Sequence, residues 1–159
     1  MNNNADKNSN RFPITIDREG TWYYKGAEMF RKDILSLFFE SLDTDEEGNY
    51  FVRMSGEKHY ITVEDTPYVV RSVHKFARAT AGNDTIEILL TDGNTETLDI
   101  PTLRIQRDNI LYCKVKEGKF DARFSRAAYY QLTEYIDYDE TTDGFALNLN
   151  GNKYPLQNT

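Results

Sequence analysis

The sequence predicts an α+β protein in which two similar hairpin–helix–hairpin units, with mostly antiparallel strands, pack into one compact molecule. Short runs of alternating apolar and polar residues are separated by turns that contain glycine, which is the pattern of β-hairpins. Only two stretches carry apolar residues at the spacing of a helix. These patterns follow one another in the same order twice along the chain.

The two copies of the pattern can be aligned. One reads Ile-Thr-Ile-Asp-Arg-Glu-Gly-Thr-Trp-Tyr-Tyr and the other Leu-Tyr-Cys-Lys-Val-Lys-Glu-Gly-Lys-Phe. Gly20 therefore corresponds to Gly118, and Trp22 corresponds to Phe120. Each copy continues with an apolar-periodic run, an acidic turn and a further strand pattern. The sequence thus predicts an internal repeat.

Composition shifts place the boundaries of the units. Residues 1–11 are polar and rich in asparagine, so they have little surface to bury and are expected to form a disordered tail. The first α+β unit is predicted at 12–80, and the second at 81–159.

The first unit begins with a hairpin and continues into a helix. Strands at 14–16 and 21–24 flank Gly20, which supplies the positive φ of a tight turn. The next apolar residues recur at helical spacing, which predicts one face of a helix of about four turns, buried on more than one side. These residues are Phe30, Ile34, Leu37, Phe38 and Leu42.

Strand patterns fill the middle of the chain. Residues 50–54 and 59–63 predict a second hairpin, and 69–78 is a longer alternating run. Residues 85–90 and 95–99 flank Asp-Gly-Asn, a strong hairpin signal.

The second unit repeats the order of the first. Strands at 110–116 and 119–123 pair around Glu-Gly, and Ser125 is the expected N-cap of the following helix. The apolar face of that helix consists of Ala128, Leu132, Tyr135 and Ile136. The last hairpin joins 145–149 to 153–156.

Charge and cysteine content narrow the classes of function. The net charge of −7 argues against nucleic acid and against an anionic membrane as partners, because both polyanions would be repelled. The polar start of the chain lacks the apolar core of a signal peptide. A single cysteine, Cys113, allows no internal disulfide and fits a reducing compartment, so the cytoplasm is the expected location.

Several phrases of the sequence resemble one known family. They are Asp-Arg-Glu-Gly-Thr-Trp-Tyr-Tyr-Lys-Gly at 17–26, Val-Glu-Asp-Thr-Pro-Tyr at 63–68 and Ala-Ala-Tyr-Tyr-Gln-Leu at 127–132. The chain is similar, over nearly all of its length after the tail, to the bacterial family known as domain of unknown function 1285. It departs from that pattern at Ala27-Glu28, where relatives tend to carry Ser-Pro. The resemblance implies a fold of two similar α+β units, no established reaction, and a suggested role in signalling.

The candidate ligand-binding residues come from three separate segments of the first unit: Trp22, Arg31, Lys58, Glu64 and Asp65. The proline that follows Thr66 favours extended backbone and could hold the two adjacent carboxylates at the end of a strand. There they could bind a cation or amine, or act as a general base. Alternatively, the carboxylates staple a turn, with Glu64 paired to Arg31 or Lys58, and Trp22 lies in the core.

No metal, cofactor or catalytic set is predicted. Asp43, Asp45 and Glu47 resemble the start of a calcium loop, but Met54 occupies the place of the closing bidentate glutamate. An acidic surface turn explains this segment better, and tight calcium binding is not expected. The sequence lacks a phosphate-binding loop, a dinucleotide fingerprint and a nucleophile elbow.

Three classes of function stay open at this point. The first is a non-catalytic module that binds a small ligand or a protein segment between the two repeats, with a possible place in signalling. The second is an enzyme of unknown reaction that uses Glu64 or Asp65 as acid or base. The third is a structural homo-oligomer that exposes an edge strand such as 50–54 for pairing.

Overall fold

The computed structural model describes residues 11–158, apart from the side chain of Arg107, and the chain divides into two compact units, 1–67 and 68–159. The predicted α+β class with many antiparallel strands is confirmed. The predicted tail lies outside the described residues except for Arg11. The guanidinium of Arg11 donates to the backbone oxygen of Ile61 at 3.1 Å.

The N-terminal unit contains seven strands and one helix within the described residues. In chain order they are β1 (Ile14–Ile16), β2 (Trp22–Tyr24), β3 (Ala27–Glu28), α1 (Lys32–Ser41), β4 (Leu42–Thr44), β5 (Tyr50–Met54), β6 (Glu57–Tyr60) and β7 (Thr62–Val63). They form one sheet in the order β3-β2-β1-β7 and a second in the order β4-β5-β6. The apolar side chains of β1, at Ile14 and Ile16, are fully buried.

The predicted strand at 59–63 is two strands. β6 pairs with β5 as far as Tyr60, whereas β7 lies parallel to β1, with Thr62 opposite Thr15. Ile61, buried at the break, marks where the chain leaves one sheet for the other. The change of partner follows from tertiary pairing, which an alternating sequence pattern cannot reveal.

The predicted edge strand at 50–54 is wrong. β5 is hydrogen-bonded to β4 on one side and to β6 on the other, so its backbone groups are already paired. The segment after the helix, interpreted from sequence as a loop, supplies β4 and closes this edge.

Helix α1 is shorter and more exposed than its sequence predicts. It ends at Ser41, and Leu42 begins β4 instead of the last helical turn. Within the helix only Phe39 is buried. Leu37 remains 66% exposed, and Phe30, just before the helix, remains 76% exposed. The predicted burial on more than one side is therefore wrong.

The C-terminal unit contains ten strands and one α-helix within the described residues. They are β8 (Tyr68–Phe76), β9 (Thr85–Leu90), β10 (Thr95–Thr97), β11 (Arg104–Gln106), β12 (Ile110–Val115), β13 (Phe120–Phe124), α2 (Arg126–Thr133), β14 (Ile136–Asp139), β15 (Gly144–Leu149), β16 (Asn152–Pro155) and β17 (Gln157–Asn158). Short 3₁₀ turns at Ile100–Thr102 and Arg107–Asn109 flank β11.

A seven-stranded sheet dominates this unit, in the order β10-β9-β8-β13-β12-β11-β17. β8 pairs antiparallel with β9 and parallel with β13, so it belongs to the C-terminal unit. The division between units therefore precedes β8, whereas the sequence analysis placed it after residue 80. Three residues on strands of this sheet, Leu90, Cys113 and Ala122, are fully buried.

Each unit contains a hairpin, a helix and a three-stranded sheet in the same order. In the C-terminal unit these are β12–β13, α2 and β14-β15-β16. The last strand of each unit pairs differently. β7 pairs with β1, a strand of the first hairpin, whereas β17 pairs with β11, which precedes the β12–β13 hairpin. Superposition of the two units stays a prediction. No α-helix in the described part of the chain is long and apolar enough to span a membrane.

Candidate functional site

Trp22 lies in the core of the N-terminal unit. Its side chain is 2% exposed and its ring packs edge-on against Phe39, with centroids 4.9 Å apart. It also contacts Phe38 at 6.0 Å. Among the described residues no group accepts a hydrogen bond from the indole N–H. Of the two interpretations of Trp22, core packing therefore describes its position.

Arg31 is exposed and is paired with Asp33, not with Glu64. Its guanidinium donates from Nε and Nη2 to the two carboxylate oxygens, at 3.3 and 2.7 Å. This hydrogen bond from Arg31 lowers the pKa of Asp33. The side chains are 72% and 65% exposed, so the pair is screened by water and holds Arg31 weakly in place.

Glu64 fastens the first hairpin. Its carboxylate accepts the backbone N–H of Arg18 at 3.2 Å, and its own N–H donates to the oxygen of Ile16 at 2.9 Å. Asp65 beside it is half-buried. Lys58 lies on β6, with its Nζ 4.8 Å from the ring centroid of Phe51. The structure thus gives Arg31, Lys58 and Glu64 three different partners, and the predicted five-residue site stays a prediction.

The acidic turns of the N-terminal unit are structural staples. Asp45 Oδ1 accepts the backbone N–H groups of Glu47 and Asn49, at 3.0 and 2.9 Å. Its Oδ2 accepts the hydroxyl of Tyr60 at 3.2 Å. The carboxylate that resembled a calcium ligand is therefore engaged by donors of its own turn. Within residues 11–158, no group of three or more histidine, cysteine or acidic side chains could hold a metal ion.

A concave apolar groove lies between the first hairpin and α1 of the N-terminal unit. We call it the aromatic groove, and its volume is about 530 Å³. Of the predicted site residues, Arg31 lines it. The full lining is Phe12, Tyr24, Glu28, Met29, Phe30, Arg31, Ile34 and Phe38.

Aromatic contacts fix the walls of the aromatic groove. Phe12 packs against Tyr24 at 6.1 Å and against His59 at 5.0 Å. Phe38 packs against the buried ring of Trp22, with centroids 6.0 Å apart. Because both walls are packed against neighbours, the concave shape exists without a ligand.

Comparison with known families confirms the predicted resemblance. Residues 4–66 match the family model described as domain of unknown function (DUF1285), N-terminal domain. The match spans nearly all of the N-terminal unit, which is therefore similar to the N-terminal domain of this family. No curated protein matches the chain.

Two solved structures of DUF1285 family proteins share the fold. The protein of Silicibacter pomeroyi DSS-3 is 21% identical, with a TM-score of 0.74 over 92% of this chain and 80% of that chain. The protein of Shewanella baltica OS155 is 22% identical, with a TM-score of 0.62 over 77% of this chain and 91% of that chain. At these identities the likeness establishes architecture alone.

Sequence reasoning missed most of the groove in the N-terminal unit. Phe12 and Met29 were not singled out, Tyr24 was placed on the aromatic return strand of the first hairpin, and Phe30, Ile34 and Phe38 were assigned to a buried helix face. The signal in the sequence was a wide apolar face, in which Leu35 and Phe39 join Phe30, Ile34, Leu37 and Phe38. Which part of that face stays uncovered depends on packing.

The C-terminal unit contains further cavities. One of them, of about 610 Å³, lies along β8–β10, where Ser72, His74, Phe76 and Arg78 contribute to its lining with Glu87. Glu87 accepts the hydroxyl of Thr97 at 2.8 Å, so its carboxylate is partly engaged.

Proposed function

We propose that the N-terminal unit is a binding module that takes a small, mainly apolar molecule in the aromatic groove. The observation that carries this proposal is a preformed concavity in which six of the eight lining side chains are apolar. Its volume falls in the range of roughly 300–1,000 Å³ that is typical of small-molecule sites.

Preorganised walls support this proposal. Phe38 and Tyr24 are each held by an aromatic neighbour, so a ligand need not order them when it binds. A planar or alkyl body can contact their rings and displace water from apolar surface. The favourable binding free energy comes from burying apolar surface that the fold leaves exposed.

Two charged side chains limit the ligand at the edge of the groove. Glu28 and Arg31 both contribute to the lining, and both are exposed. Because the Arg31–Asp33 pair is exposed, a polar group on a ligand can exchange with Asp33 at little cost. We expect a ligand with one polar end and an otherwise apolar body.

This proposal is a specific form of the first predicted class, the non-catalytic binding module. It places the ligand in the aromatic groove. The sequence analysis placed a ligand between the repeats, and that location stays a prediction. The enzyme hypothesis depends on Glu64 and Asp65. Glu64 accepts a backbone N–H of the hairpin turn, which supports a structural role for its carboxylate.

A neutral fluorescent probe tests the aromatic groove. We expect N-phenyl-1-naphthylamine to bind the full chain saturably, with enhanced emission. Ile34→Trp fills the groove and should weaken probe binding at least tenfold. Leu37→Trp is the matched control, because Leu37 lies on the same helix, is 66% exposed and is outside the groove lining.

Circular dichroism and thermal melts should show that both variants stay folded. Probe binding that is absent, or that Ile34→Trp and Leu37→Trp change equally, would remove the aromatic groove as a ligand site.

One observation favours a second candidate, a homo-oligomer that uses this apolar face. Phe30 in the lining of the groove and Leu37 outside it are both largely exposed, and a small ligand in the groove would leave Leu37 uncovered. A second copy of the chain could cover both. Sedimentation velocity over a concentration series should then show association that Leu37→Asp abolishes. A monomer at all concentrations would leave the small-ligand proposal alone.

A further inference from the structure

We infer that the C-terminal unit binds a small amphiphile with an anionic head, in a two-part site that lies apart from the aromatic groove. The first part, the arginine pocket, has a volume of about 430 Å³ and is lined by Arg123, Arg126, Tyr129 and Tyr130, together with the turn that precedes β12. The second part, the apolar recess, has a volume of about 230 Å³.

The arginine pocket gathers positive charge in an acidic protein. Two guanidinium groups line one concavity, although the chain carries a net charge of −7. The guanidinium of Arg126 lies 5.9 Å from the ring centroid of Tyr130, and no carboxylate of the described residues is within ion-pair distance of it. Asp108 also lines the pocket, on its exposed side.

Hydrogen-bond donors accompany the charge. Tyr129 and Tyr130 both line the pocket, and a phenol hydroxyl can donate a hydrogen bond to an incoming group. Guanidinium and phenol groups together suit a carboxylate or a phosphate, whose oxygens accept several bonds at once. The pocket therefore selects an anion by charge and by geometry.

The apolar recess adjoins the arginine pocket. The two cavities share Asn109, Leu111 and Tyr129 in their linings, so they are immediate neighbours. The rest of the recess is lined by Ile105, Ile136, Phe145 and Leu156, together with Thr133. One ligand could therefore place its apolar tail in the recess and its anionic head in the arginine pocket.

This pairing of cavities defines the ligand class. A free inorganic anion would leave the recess unused, and a neutral apolar molecule would leave Arg126 without a counter-charge. An alkyl or aryl chain that ends in a carboxylate or phosphate uses both parts. Both kinds of ligand have an anionic head and a short apolar tail. Experiment distinguishes a carboxylate head from a phosphate head.

Isothermal titration of the full chain with octanoate and with octyl phosphate tests the inference. At least one should bind saturably and at least tenfold more tightly than acetate, inorganic phosphate or octanol. Arg126→Gln should weaken binding at least tenfold, and Phe145→Ala, on the half-exposed edge of the recess, should weaken it several-fold. Arg53→Gln removes an equal charge in the N-terminal unit and should leave binding unchanged.

The result of this titration can be distinguished from the result of the probe experiment on the aromatic groove. Ile34→Trp should bind the amphiphile as the wild type does, because Ile34 lies in the other unit. Octanoate and octyl phosphate that bind no better than acetate or octanol would overturn the inference. So would equal losses in Arg126→Gln and Arg53→Gln, or retention of wild-type affinity in Arg126→Gln.

Discussion

Two aspartates close two hairpin turns of the N-terminal unit with the same set of bonds. Asp17 Oδ1 accepts the N–H groups of Glu19 and Thr21, both at 2.9 Å, and Asp17 Oδ2 accepts the hydroxyl of Tyr23 at 3.1 Å. Asp45 makes the equivalent contacts. The hydrogen bond to Asp17 raises the pKa of Tyr23. Acidic residues that invite a metal interpretation therefore stabilise turns here.

We predict that Asp45→Ala lowers the free energy of unfolding by about 1–3 kcal/mol, because the N–H groups of Glu47 and Asn49, the side-chain amide of Asn49 and the hydroxyl of Tyr60 all lose a charged acceptor. Urea denaturation followed by circular dichroism measures the change. Glu46→Ala is the control, since Glu46 is exposed in the same turn, and it should leave stability unchanged. A loss in Glu46→Ala equal to that in Asp45→Ala would contradict the staple.

Cys113 should be inert in the folded protein. Its side chain is fully buried in β12, and burial raises the pKa of the thiol to about 12. The reactive species is the thiolate, which is scarce at neutral pH and inaccessible. Iodoacetamide at pH 8 should leave the native chain unmodified and label it completely in urea, as mass spectrometry would show. Rapid labelling of the native chain would refute this.

Helix α1 illustrates how an element can satisfy its local pattern and still leave surface uncovered. Its apolar residues have helical spacing, yet the ten-residue helix buries only Phe39. Ile34 and Phe38 become walls of the aromatic groove. The amphipathic pattern thus predicts the helix correctly but overstates its burial.

Helix α2 depends on a side-chain cap that its sequence predicts. Ser125 Oγ accepts the backbone N–H of Ala128 at 3.2 Å. We predict that Ser125→Ala lowers the free energy of unfolding by about 1 kcal/mol, whereas Ser125→Asp retains the acceptor and most of the stability. Chemical denaturation of the two variants measures the difference. Equal stability of Ser125→Ala and the wild type would show that the cap contributes nothing.

At the scale of the whole molecule, the chain comprises two units, and the titrating groups with the largest pKa increases lie in the second. Burial, with Asp92 and Glu96 adding to it, raises the pKa of Tyr68. Burial likewise raises the pKa of Cys113. Both groups stay protonated in the folded state at a pH where the unfolded chain loses the proton.

Stability should therefore decrease as the pH rises above about 9, where an ordinary thiol ionises, towards about 12. The sign follows because the unfolded state binds fewer protons than the folded state in this window. Thermal melts between pH 7 and 11 measure the slope. Tyr68→Phe removes one of the two groups and should flatten it, whatever its effect at pH 7. An equal slope in Tyr68→Phe and the wild type would exclude a contribution from Tyr68.

Patterns that depend on neighbours in the chain were predicted correctly. The α+β class, the hairpin at Gly20, the hairpin at Gly118 and the cap at Ser125 all follow from short-range geometry. Turn glycines and capping serines act within a few residues, so the sequence contains the information directly.

Pairings and uncovered surfaces depended on the tertiary structure. The sequence could not show that β7 leaves β6 for β1, nor that β8 joins β13, because strand partners are chosen by contacts distant in the chain. It named Arg31 as a candidate ligand-binding residue and offered Glu64 as its partner, whereas Arg31 is paired with Asp33. The apolar residues around Phe30 have the same pattern whether or not another element covers them, and only the folded arrangement decides that.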